Sequence, residues 1–218
     1  MNLFSTPTMT RKPNRPRRPK HKPVEPDRAN LSGSSPLEFE AAVSWPVFEC
    51  LVSSDWRDTS KLTEILIAKE PPFGGVVTGA FLVDLGCLGL KEGFVSQFRF
   101  RRDYEDGFRS MMLARESLIP AQFSLAAKIL QESMRFAHEL GFDPPQPARR
   151  SLIILGALDA ASECAEKIPL GGENRKPFYM AGPDDDVRHI MNTLIRKCGH
   201  GNFDFIAPQE WIPPGLFE

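Results

Sequence analysis

Apolar and polar residues alternate with a period of two in the first half of this chain and recur every three to four residues in the second, which predicts strands followed by helices. In "WPVFECLVSSDW" the alternation predicts a strand at residues 47 to 53. "KLTEILIAKE" and "GVVTGAFLVDLGC" are two β-rich runs separated by "PPFGG", whose Pro-Pro and Gly-Gly pairs are turn residues. Residues 62 to 85 therefore read as a β-hairpin. "SQFRFRRD" predicts another strand, with Phe98 and Phe100 on one face and Arg99 and Arg101 on the other.

After a short helix expected at about 104 to 115, "AQFSLAAKILQESMRFAHELGFDPP" places Phe123, Ala126, Ala127, Leu130, Met134 and Ala137 on one helical stripe. Gly141, Phe142 and Pro144 supply a stop of the Schellman type. Residues 147 to 167 are ambiguous, since Ile153 and Ile154 favour a strand whereas the length and the alanines favour a helix; the helix is preferred. "KPFYMAGP" predicts a short strand before a helix in "DDDVRHIMNTLIRKCG", with Asp184 to Asp186 at its positive end and Gly199 as its stop. "GNFDFIAP" is the last candidate strand. This order implies an α+β fold, with an antiparallel or mixed sheet and helices packed on one face.

Charge separates the first 35 residues from the rest. Residues 11 to 28 carry a net +6 through Arg11, Lys12, Arg15, Arg17, Arg18, Lys20, Lys22 and Arg28, so the remainder carries −7 within the chain's total of −1. Prolines 7, 13, 16, 19, 23 and 26 interrupt residues 1 to 35, which have too few aliphatic side chains to bury a core. Residues 1 to 35 are thus expected to form a disordered basic arm hinged at "NLSGSSP", and residues 36 to 218 a single α+β domain. No apolar run reaches the roughly 18 residues of a membrane span, and the first thirty residues lack a secretory core. Cys50, Cys87, Cys164 and Cys198 are widely spaced, which points to reduced thiols in a cytoplasm-like compartment.

Candidate chemistry is sparse. Asp84 and Cys87 sit in the most apolar stretch, "GAFLVDLGCLGLKEGF", where Cys87 reads as core and Asp84 as an acceptor for backbone N–H groups. The competing reading makes Asp84 a base near Lys91 or Glu92. Arg175 and Lys176, after a glycine pair, are candidates for anion binding, opposed by the three aspartates that follow. Cys198 and His200 are too few for a metal site, and no cofactor motif occurs. Arginine and lysine at the density of the arm favour phosphate contact with DNA or RNA. Arg99, Arg101 and Arg102, interleaved with Phe98, Phe100 and Tyr104, extend that surface with stacking planes; a solvated basic edge strand is the alternative.

The blocks "GAFLVDLGCLGLKEGF", "KPFYMAGPDDD" and "GNFDF" resemble a family of bacterial proteins with no assigned activity. The resemblance spans much of residues 45 to 206 and implies no reaction, cofactor or catalytic residue. The leading expectation is a non-enzymatic interaction protein whose arm contacts nucleic acid or an acidic protein partner. Two alternatives stay open: a hydrolase or transferase acting on a phosphate-bearing substrate, and a protein-binding scaffold with a dispensable arm. No membrane partner is expected, and oligomeric state is not legible.

Overall fold

Four strands in chain order, β1 (Val47–Ser53), β2 (Leu62–Lys69), β3 (Val76–Asp84) and β4 (Gly89–Phe98), fold as an antiparallel meander. A short β5 (Leu118–Pro120) pairs antiparallel with β1, giving the sheet order β4-β3-β2-β1-β5. The computed structural model describes residues 44–212 apart from Phe73 and Ala157. The basic arm, with Arg11, Lys12, Arg15, Arg17, Arg18, Lys20 and Lys22, and its hinge lie outside the described residues.

Strand alternation sorts the core into two layers. Val52, Ile65, Ile67, Val77 and Val83 face one side, where α2 (Phe123–Glu139) packs Ala126, Ile129 and Leu130 against them. Leu51, Leu66, Ala68, Val76 and Ala80 face the other. There a π-helical segment (Asp103–Arg109), continued by α1 (Ser110–Arg115), covers them with Tyr104, Phe108 and Met112. The class is α+β with an antiparallel sheet, as the pattern predicts; the main helical layer lies on one face and the 103–115 segment on part of the other. Each aliphatic side chain buried in these layers contributes about 1.5 to 3 kcal/mol. Among the described residues no helix is long and apolar enough to cross a membrane.

Two bulges re-aim side chains. Between Val47 and Glu49 the β1–β2 register shifts, so Phe48 and Glu49 both serve the face covered by the 103–115 segment instead of opposing one another. Between β3 and β4, Leu82 pairs with Glu92 and Val83 with Leu90, leaving Lys91 as the extra residue. That displacement frees Lys91 from the strict alternation of the strand.

α2 ends as its sequence predicts. Gly141, at φ +92°, donates to His138, and the Phe142 N–H donates to the Ala137 carbonyl at 2.9 Å, the bond pattern of a Schellman stop. The strand predicted from "SQFRFRRD" differs: β4 starts earlier, at Gly89, and stops at Phe98. Its partner β3 begins at Val76, directly opposite Phe98, so beyond that residue the ladder has nothing to pair with. Asp103 then donates to the Phe100 carbonyl and the chain turns helical.

The ambiguous stretch 147 to 167 is neither one helix nor a strand. α3 (Gln146–Ser151) tightens into a 3-10 turn over Leu152–Leu155, breaks at Gly156 with φ +76°, and resumes as a second 3-10 segment, Leu158–Glu163. Ile154, fully buried, fills space above Gly79 that a β-carbon there would enter to within 2.6 Å of its Cγ2. β6 (Phe178–Met180) and β7 (Asp204–Ile206) form a separate parallel pair, linked through α4 (Val187–Cys198). α4 starts at Val187, later than the aspartate run predicts, because Asp186 is its N-cap and accepts from the His189 N–H at 3.0 Å.

Candidate nucleic-acid interface

The two ends of the central sheet both carry clustered charge. At the β3–β4 turn, the Asp84 carboxylate accepts from the N–H groups of Gly86, at 2.6 Å, and Cys87, at 3.1 Å. The turn is tight because Gly86 lies where a β-carbon would meet the Phe178 carbonyl at 2.3 Å. Lys91, delivered by its bulge, pairs with Asp185 at 2.7 Å, their side chains only 17 % and 10 % exposed. The second Asp185 oxygen accepts from the Gly182 N–H at 2.9 Å and from the Tyr179 hydroxyl at 3.2 Å. Burial pushes the Asp84 carboxyl up to about 6, although the two N–H groups and Lys91 oppose the shift. Burial also raises the Cys87 thiol, with Asp84 adding to the effect, so Cys87 is an inert core residue.

This end therefore joins Asp84 and Lys91, as the enzymatic reading requires, but with their capacity consumed by neighbours. Arg175 and Asp184 are exposed and are not partners in the cluster. Lys176 pairs with Asp204 at 2.6 Å. The aspartate run divides its labour: Asp184 faces solvent, Asp185 holds Lys91 and Asp186 caps α4. Among the described residues no three His, Cys, Asp or Glu side chains converge on a point that would hold a metal ion. A surface depression of about 460 Å³ is lined by Gln122 and residues 163–167, and by none of Asp84, Lys91, Arg175 and Asp184.

The opposite end of the sheet is built differently. Here the chain enters β1 from Ser44, Trp45 and Pro46, and the Glu70 N–H donates to the Pro46 carbonyl at 3.1 Å. The described fold thus begins beside the end of β2, at the root that follows the arm in the sequence. Arg101 reaches back to this point, pairing with Glu70 at 2.8 Å and with Glu105 at 2.7 Å, and its guanidinium lies 4.2 Å from the centre of the Phe48 ring. Glu49 anchors the covering segment through Arg109, at 2.8 and 2.9 Å, and through the Tyr104 hydroxyl.

Arg99 and Arg102 flank Phe100 without such ties. Their guanidiniums lie 5.4 and 5.2 Å from its ring centre, within cation–π range but not in close contact. Arg102, 76 % exposed, has a single ion contact, to Asp103 at 3.6 Å. Among the described residues Arg99 has no ion-pair partner. Phe100 is 49 % exposed. The three aromatic rings nominated from the sequence separate here: Tyr104 is fully buried, Phe98 stacks on Phe108 at 5.6 Å, and Phe100 alone of the three stands open.

Nothing in the sequence signals Asp185 as the partner of Lys91, 94 residues away along the chain, or Tyr179 as a second donor to Asp185. Sequence reading also missed Glu49, whose only signal is a carboxylate in an otherwise half-apolar strand. Comparison with family models, with curated proteins and with solved structures finds no match to this chain.

Proposed function

We propose that the protein acts without catalysis, by electrostatic association with nucleic acid through its basic arm and the arginine cluster at the arm's root. One observation carries this reading: Arg99, Phe100 and Arg102 stand exposed at the same end of the sheet from which residues 44–46 lead back to the arm. In this reading Arg11, Lys12, Arg15, Arg17, Arg18, Lys20 and Lys22 supply the charge of the arm, and Arg99 and Arg102 supply that of the folded domain. Guanidiniums with uncommitted donors are the groups that take phosphate oxygens, and each phosphate neutralised releases counterions. A cytoplasm-like, reducing setting belongs to the same proposal, supported by four unpaired cysteines of which three are buried.

The enzymatic reading gains no comparable support, since Asp84 and Lys91 are internally satisfied and neither lines the depression beside Gln122. Binding of labelled oligonucleotides across a salt series tests the proposal, using the full chain and a variant with the seven named arm residues replaced by glutamine. The native chain is expected to show log K falling with log salt by about 0.9 per phosphate contact on duplex DNA, and the glutamine variant to lose most of that slope. Equal, salt-insensitive binding by both proteins would refute it.

A further inference from the structure

We infer that the nucleic acid held at this end is single-stranded, with Phe100 as the platform on which one base stacks. The inference rests on the nucleic-acid reading above and goes beyond it, since an arm of mixed arginine and lysine has no means of telling a single strand from a duplex.

Phe100 is half exposed and lies beyond the end of β4 at Phe98; among the described residues it has no aromatic partner, whereas Phe98 packs on both Tyr104 and Phe108. The guanidiniums of Arg99 and Arg102 lie over the Phe100 ring at 5.4 and 5.2 Å from its centre, and half of the residue's surface stays open to solvent. A planar apolar face bordered by two phosphate-binding groups matches one nucleotide of a single strand, whose base is free to stack while its flanking phosphates meet the arginines. In a duplex the base faces are already occupied by their neighbours, so Phe100 would gain nothing. The arrangement reads no base edge and is therefore tolerant of sequence. It also does not discriminate deoxyribose from ribose, so DNA and RNA strands are both admitted.

Arg101 sharpens the assignment. Its charge is spent on Glu70 and Glu105, and its plane on Phe48, so it positions the segment without offering a donor fork to a ligand. The platform is thus Phe100 with Arg99 and Arg102, and not the whole arginine run.

The test compares oligo(dT), oligo(U) and a DNA duplex of equal strand length, at one low salt concentration, with the full chain and with Phe100→Ala and Phe100→Trp. The native protein is expected to favour both single strands over the duplex. Phe100→Ala should weaken single-strand binding by about 5- to 150-fold, the usual worth of one stacked base, and leave duplex binding unchanged. Phe100→Trp should restore it. Equal affinity for strand and duplex, with Phe100→Ala binding as well as the native chain, would overturn the single-strand inference and leave the arm's electrostatic role standing. Displacement of bound oligonucleotide by polyglutamate, with no penalty from Phe100→Ala on either polymer, would also overturn it. Failure of the native protein to bind any of the three would overturn this inference and the reading beneath it together.

Discussion

The β3–β4 turn and the arm's root, at opposite ends of one antiparallel sheet, both gather charge, but they dispose of it in opposite ways. At the turn, Lys91 and both Asp185 oxygens are occupied, and Asp84 is bound by its own loop. At the root, Arg101 is spent in the same fashion, whereas among the described residues Arg99 has no ion pair and Arg102 only one, to Asp103 at 3.6 Å, and both stand exposed beside an open ring. A buried, paired charge is a structural device: its removal is costly and it recognises nothing further. An exposed, uncommitted charge adds little to stability and is available to a partner. The distinction lies in what each group's neighbours leave unused, and residue type alone does not reveal it.

The sharpest way to break this contrast is Lys91→Met. It strands Asp185 in a site about nine-tenths buried, with only the Gly182 N–H and the Tyr179 hydroxyl still donating. Urea denaturation is expected to show a loss of about 3 to 4 kcal/mol. A loss under 1 kcal/mol would mean that the turn end is no more structural than the root.

Asp84→Asn follows. With its folded pKa at about 6 and the ordinary carboxyl value of 3.8 in the unfolded chain, Asp84 holds more protons in the native than in the unfolded state between those limits. The contribution of Asp84 to stability is therefore fully present below about pH 4 and declines as pH rises through 6, by about 2 to 3 kcal/mol. Asparagine removes that slope, so the difference between native and variant stability should vary with pH only within this window. Parallel pH profiles would contradict the account of Asp84.

Glu49→Gln removes the charge that Arg109 and Tyr104 hold, and is expected to cost about 1 to 2 kcal/mol. Because Glu49 anchors the segment that presents Phe100, oligonucleotide affinity should fall with it. Arg101→Ala has the smallest expected effect. Its exposed pairs leave the denaturation midpoint nearly unmoved, and binding should change less than with either Arg99→Ala or Arg102→Ala.

Much of the architecture was legible in the sequence because local rules and tertiary packing agree there. The 62 to 85 hairpin appears as β2 and β3 around its predicted turn, and Gly141 and Phe142 form the expected stop. Reading failed where packing overrides the local pattern. The alternation of Phe98, Arg99, Phe100 and Arg101 continues past β4, but the strand ends with the start of its partner, a fact of β3 and not of this segment. Residues 147 to 167 have helical composition, yet Gly156 and the fit of Ile154 over Gly79 break them. Of the charged sites, Lys91 was legible as a candidate and its partner was not. Asp185 and Asp186 were read as one cluster at a helix end, and only folding assigns one to Lys91 and the other to the cap.

The contrast between the two ends is tested most directly by measuring the salt dependence of oligo(dT) binding and the urea midpoint on the same samples of the native chain, the Arg99→Ala/Arg102→Ala double variant and Lys91→Met. The double arginine variant should keep its midpoint and lose about 1.4 from the slope of log K against log salt, two single-strand phosphate contacts. Lys91→Met should keep the slope and lose midpoint. A double arginine variant that unfolds earlier while its salt slope stays native would contradict the division of this sheet into a structural end and a binding end.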